Sequence, residues 1–157
     1  MGIVAAALTA GLASYGAWEH HRHLRNLERI PLRVHVNGTR GKSSVTRLIA
    51  GGLQSGGRRT FAKTTGTMAR MIWPDGREVD VYRVGGPNII EQIRIVRRAV
   101  ECGAEAMVIE CMAVSPELQP LSELRLIRST IGVITTATHV MTLSVYGDDD
   151  AFSVVRL

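Results

Sequence analysis

Apolar positions along this chain follow two rhythms that take turns. Leu32 to Val36, Ala106 to Ile109 and Ile131 to Thr135 are short, nearly continuous apolar runs, the pattern of strands buried on both faces. Arg59 to Ala62 predicts a further strand. Between them the spacing lengthens to that of a helix. Val45, Leu48, Ile49 and Leu53 share one face of a segment from Ser43 to Ser55. Ile89, Ile93, Val96 and Val100 share one face of 89–102, with Arg94, Arg97, Arg98 and Glu101 mostly on the other. Gly56-Gly57 and Gly103 are the expected helix stops. Trp73-Pro74-Asp75-Gly76 is a turn signal between two short extended runs and predicts a β-hairpin over Met71 to Tyr82. Pro116 to Arg128 reads as a loop and a short helix. Strands alternating with helices predict an α/β fold, a three-layer sandwich with a mostly parallel sheet and right-handed crossovers.

Residues 3 to 18 stand apart, because none carries a charge. As a helix, with Met1 and Gly2, they would reach roughly 27 Å, just short of the roughly 30 Å of a hydrocarbon core. Trp18 closes the segment where an interfacial aromatic belongs. His20, His21, Arg22, His23 and Arg25 follow at once, which orients the remainder toward the cytoplasm. The expectation is a single-pass membrane anchor over 1–18 and a short basic linker helix over 19–31 that ends near Pro31. No basic stretch precedes the apolar one, so a cleaved signal peptide is not expected. The three histidines read as part of a solvated basic flank, not as metal ligands.

Composition narrows the function. With 157 residues the chain has the length of about one domain, and few aromatics make the core aliphatic. The formal charge of +5 suits an anionic ligand. The basic residues form no long tract and no aromatics alternate with them, so nucleic acid is not the expected partner. Cys102 and Cys111 have neither a disulfide framework nor a metal spacing. They read as packing residues in a reducing compartment.

The candidate chemistry lies at the end of the first strand, in Asn37-Gly38-Thr39-Arg40-Gly41-Lys42-Ser43-Ser44. Strand, glycine turn and helix in that order make a phosphate-binding loop. The glycines let backbone amides converge on phosphate oxygens, and the helix start favours the same anion. Lys42 adds charge at the β- and γ-phosphates, and the Ser43 hydroxyl is a ligand for Mg²⁺. The common form of the loop has a further glycine where Val36 stands, so this is the shorter Gly-Thr-x-Gly-Lys-Ser version. Lys63-Thr64-Thr65-Gly66-Thr67, after the second strand, suits either a second loop facing the ligand or a plain turn. Glu110 ends a buried strand, where an unpaired carboxylate is costly. Ligand sites lie at the carboxyl ends of parallel strands. Glu110 therefore reads as a Mg²⁺ ligand opposite the loop, with a strand-end ion pair to an arginine as the alternative.

Four motifs in this order resemble a known family. Val36 to Ser43, Lys63 to Thr67, Gly86-Pro87-Asn88-Ile89 and Glu110-Cys111-Met112-Ala113 together resemble the ligase subunit of poly-γ-glutamate synthases, within the Mur ligase and folylpolyglutamate synthetase superfamily. The resemblance implies an incomplete Mur ligase central-domain-like unit over 32–135 and a divergent tail over 136–157. It implies an ATP-dependent amide ligase working through an acyl phosphate, with ATP and Mg²⁺ as cofactors. Lys42 and Glu110 would be its catalytic residues. Asn37, Gly38, Thr39, Arg40, Gly41, Lys42, Ser43, Ser44, Thr65 and Thr67 would hold the nucleotide, and Ser43 and Glu110 the metal. Its partners would be glutamate, the growing polymer, other membrane subunits of the synthase and the membrane itself. The chain departs from the family after Ile134-Thr135. The expected Asp-His-x-Asp motif is replaced by Thr136-Ala137-Thr138-His139, with His139 out of register. The expectation is a truncated or frameshifted product, inactive alone. The other readings are a generic phosphate-loop NTPase or kinase, and a non-catalytic membrane-bound remnant.

Overall fold

The computed structural model describes residues 2–66, 68–82, 88, 90–112 and 118–136, together with the backbone of 153–156. The helices are α1 (Gly2–Glu28), α2 (Lys42–Ser55), α3 (Glu91–Glu101) and the single turn α4 (Leu118–Leu121), which runs into a π-helical stretch, Ser122–Ile127. The strands are β1 (Leu32–Asn37), β2 (Thr60–Lys63), β3 (Arg70–Ile72), β4 (Glu78–Asp80), β5 (Ala106–Glu110), β6 (Ile131–Ile134) and β7 (Ser153–Arg156). They form one sheet in the order β4-β3-β2-β5-β1-β6-β7. The five strands from β2 to β7 are parallel, and the β3–β4 hairpin extends the β2 edge antiparallel.

Two apolar layers sandwich this sheet, as the alternation of periods predicts. Val34, Val36, Ala62, Val108 and Val133 point to one face, where α2 covers them with Val45, Ile49, Ala50 and Leu53. Phe61, Met107 and Ile109 point to the other. There they meet Leu27 and Ile30 at the end of α1, Ile95, Val96 and Ala99 of α3, and Ile127. Phe61 and Trp73 pack edge to face, with ring centroids 5.7 Å apart. Every residue of β2 and β5 is buried, which explains why those strands read as continuous runs. The hairpin turns at Trp73–Arg77, where Gly76 has φ 82°, a conformation that favours glycine.

Two observations bear on the N-terminal expectation. First, α1 runs unbroken from Gly2 to Glu28, so no boundary separates anchor from linker. The supposed linker is a packing element. His23 and Leu27 are buried, Leu24 packs on the core, and Arg33 ties the end of α1 down by donating to the carbonyls of Leu27 (3.1 Å) and Ile30 (2.6 Å). Second, among the described residues no helix is long and apolar enough to cross a membrane. Alanine and glycine dominate the charge-free half of α1 and bring little apolar surface. Ile3, Val4, Leu8, Leu12, Tyr15 and Trp18 are nevertheless exposed there.

Part of the tail joins the sheet. The stretch 153–156 pairs in parallel with β6, Ile131 opposite Ser153 and Ile134 opposite Arg156. A four-residue strand carries too little periodicity to be told from a divergent tail. His139 and the aspartates at 148–150 lie outside the described residues, as do Thr67, Gly86, Pro87, Ile89 and Ala113.

Candidate functional site

β1, β5 and β2 end side by side, and the register sets Val36 opposite Glu110. The loop 38–41 leaves β1 at this edge. Gly38 has φ 141°, and a Cβ there would run into the Thr135 hydroxyl, so both conformation and space demand glycine. Gly41 has φ 78° and stands at the N-terminus of α2 with no side-chain cap. The first amides of a helix have no intrahelical acceptor, and here no side chain serves them. An anion is the natural partner for such a helix start.

Three groups converge on this point. Lys42 Nζ curls back to donate to the Gly38 carbonyl at 2.7 Å, which holds its charge over the loop. The Ser43 hydroxyl donates to Glu110 Oε2 at 2.7 Å, and the Thr65 amide donates to the same oxygen at 2.7 Å. Glu110 is only 3% exposed, and its two partners among the described residues are neutral. Gly66 lies against the Ser43 hydroxyl, so the second loop does fold onto the first. Thr65 further donates its hydroxyl to the Cys111 carbonyl at 3.4 Å. Asn37 is not a free ligand arm. Its Oδ1 accepts from the Gly38 amide, and its Nδ2 donates to Gln119. Thr39, Arg40 and Ser44 are exposed around the mouth.

The donor set fits a magnesium ion only in part by itself. Among the described residues there is no group of three or more His, Cys, Asp or Glu. Magnesium bound with nucleotide typically takes one or two carboxylates, and substrate phosphates and water fill the rest. A hydroxyl touching one buried carboxylate with no cationic partner among the described residues, beside an uncapped helix start, fits that requirement.

The sequence reading missed the back of the site. Thr135 Oγ1 donates to the Arg40 carbonyl at 2.6 Å, and the Thr39 amide donates to the Thr136 carbonyl at 2.9 Å. Thr135 and Thr136 thus clamp the loop from behind. On the opposite face of β1, His35 Nδ1 meets Glu123 Oε2 at 2.6 Å, and Ser129 donates its amide and hydroxyl to Glu123 Oε1. Burial opposes a charge on His35, but Cys111 and Glu123 outweigh it and push the imidazole up to about 10. Burial likewise raises Glu123, yet His35 and Ser129 hold it below the usual carboxylate range. Lys63 is fully buried and pairs with Glu91 at 2.9 Å, joining the end of β2 to the start of α3. A lone histidine or lysine in a short strand gives no periodic signal, so these pairs had nothing in the sequence to announce them. Neither cysteine forms a disulfide.

The fold and loop define an α/β protein with a strand–glycine loop–helix junction and a strand-end carboxylate beside it. No family model matches the chain. It is similar to the capsule biosynthesis protein CapB of Bacillus anthracis, 47% identical over 128 residues, which cover 80% of this chain and 28% of that protein. It is similar also to the PGA synthase CapB of Bacillus subtilis (strain 168), 49% identical over 121 residues, 76% of this chain and 31% of that one. These relatives bear out the resemblance to poly-γ-glutamate synthase subunits carried by the four motifs. The chain spans less than a third of the length of the curated relatives it matches.

Proposed function

We propose that this chain is the nucleotide-binding part of an ATP-dependent amide ligase that extends poly-γ-glutamate. The observation that carries the reading is the contact of Ser43 with the buried Glu110 beside the uncapped start of α2. In the proposed reaction a glutamate carboxylate oxygen attacks the γ-phosphorus of ATP, and ADP leaves. The amine of a second glutamate then attacks the acyl carbon, phosphate leaves, and the amine loses a proton as the amide forms. This chain's part is to hold and polarise the phosphates. Amides of Gly41 to Ser44 and the Lys42 ammonium face the charge that develops on the transferred group. Ser43 and Glu110 would hold Mg²⁺, which would neutralise phosphate charge. Cytoplasmic placement at the membrane beside other synthase subunits completes the reading. The exposed, charge-free half of α1 supports an attachment of this kind, short of a span.

Calorimetric titration tests the nucleotide assignment directly. Lys42→Ala is expected to weaken Mg-ATP binding at least tenfold while the melting temperature holds; equal affinity in parent and variant would sink it. Product analysis separates the ligase from a kinase. Glutamate-dependent ATP turnover supports the former, and phosphate found on another acceptor supports the latter.

A further inference from the structure

A second charged feature lies away from the phosphate loop. Between α1 and α3 runs a groove of about 470 Å³, lined by Arg22, Arg94, Arg97 and Arg98, with Glu19 as the one acidic residue in the lining. Arg94 makes no ion pair among the described residues, and the Arg97–Glu101 pair is long and exposed, 3.6 Å. Among the described residues Arg98 reaches only the sulfur of Met71, and Arg22 stacks over the Trp18 ring at 4.9 Å. Such a concentration of guanidinium groups repels itself unless an anion comes to it.

The groove also offers something that a bare anion does not need. His23 lines it and is 2% exposed. Its Nε2 lies 2.9 Å from the Leu126 carbonyl, which only accepts, so Nε2 carries the hydrogen. Burial holds the imidazole below its usual range, so the ring is neutral and Nδ1 is a bare acceptor. That buried atom has no partner among the described residues. It suits an N–H donor arriving with the anion.

We propose that the α1–α3 groove binds a γ-linked polyglutamate chain, its carboxylates on Arg22, Arg94, Arg97 and Arg98 and an amide N–H on His23 Nδ1. The choice of polymer rests on the ligase reading above; the groove itself does not. Geometry favours this ligand over a phospholipid headgroup, which need not bring an amide. An α-peptide residue spans at most about 3.6 Å, and the two extra backbone carbons of a γ-linked residue stretch this to roughly 6 Å. Side chains one helical turn apart are about 5–6 Å apart, so Arg94 and the Arg97–Arg98 pair stand at the repeat of the polymer's carboxylates. The row also starts near the catalytic edge, because Glu91, one turn before Arg94, pairs with Lys63 at the end of β2. A product leaving the phosphate loop would find this track beside it.

Fluorescence anisotropy of a labelled γ-linked decaglutamate with the full chain, without nucleotide, tests the assignment. Replacing Arg94, Arg97 and Arg98 together by alanine is expected to weaken binding at least tenfold and to flatten its salt dependence. The triple variant should keep the parent's Mg-ATP affinity, which separates failure here from failure of the nucleotide site. Arg94→Glu, a single exposed change, should weaken binding more than Arg94→Ala and guards against a misfolded triple variant. Unchanged affinity in the triple variant and in Arg94→Glu would overturn the proposal. So would equal binding of α-linked decaglutamate. Phosphatidylglycerol vesicles that bind through the same arginines, undisplaced by the oligomer, would assign the groove to lipid and overturn it too.

Discussion

Two carboxylates flank β1, and their surroundings could hardly differ more. Glu123, on the α3 side, has a cationic histidine on one oxygen and two Ser129 donors on the other. Glu110, on the α2 side, is more deeply buried, yet its donors among the described residues are a serine hydroxyl and one backbone amide, both on a single oxygen. A buried charge is tolerated when its counter-charge is built in. Glu123 meets that condition within the fold, and the pair pins the π-helical stretch to the strand that carries the phosphate loop. Glu110 has no such counter-charge among the described residues. Glu110 ends a strand and Glu123 lies in the π-helical stretch, and what separates them is whether a counter-charge is built in.

Four experiments sharpen or break this contrast. The largest effect is expected from Glu123→Gln, which strips the imidazolium of its counter-charge. Because Glu123 is about a quarter exposed, the loss should sit near the low end for a broken buried pair, about 3 kcal/mol in denaturant titration. A change below about 0.5 kcal/mol, the scale of a neutral surface substitution, would make Glu123 a surface group.

Glu110→Gln should do the reverse. Glutamine still accepts from Ser43 and Thr65, so stability is expected to hold or rise, while magnesium-supported nucleotide affinity falls about 10–100-fold, the scale of a disturbed metal site. Binding that keeps its magnesium dependence would place the metal elsewhere.

The pH dependence distinguishes the pair further. His35 is raised in the fold, so its contribution is full below its unfolded value near 6.5 and is lost as pH rises through about 10. Glu123 is depressed, so its contribution is present above its unfolded value near 4.5 and is lost as pH falls through the lower folded value. Stability from the pair should therefore be greatest between about 4.5 and 6.5 and decline on the alkaline side. Glu123→Gln should flatten that alkaline decline; Glu110→Gln should leave it in place.

The smallest effect belongs to the clamp behind the loop. Thr135→Val removes the donor to the Arg40 carbonyl and should cost about 1 kcal/mol, with only a few-fold change in nucleotide affinity. A loss as large as that from Lys42→Ala would promote Thr135 from a support to a nucleotide contact.

Much of this protein follows from its sequence alone. Continuous apolar runs and helical spacing are local patterns, so β1, β2, β5, β6, α2, α3 and the hairpin could be placed within a few residues. The glycine loop and Glu110 were legible for the same reason. Each sits at a strand end, and parallel sheets gather those ends on one edge. Only the tertiary structure decided what depends on partners far apart in the chain. His35 and Glu123 are 88 residues apart, and Thr135 and Arg40 are 95. No period links such positions; β1 simply passes between β5 and β6. The two halves of α1 show the same limit. Charge marked a change near residue 18, but a helix does not break where its polarity changes. Contact with α3 and the core, not composition, decided that 19–28 packs and that the apolar half stands exposed.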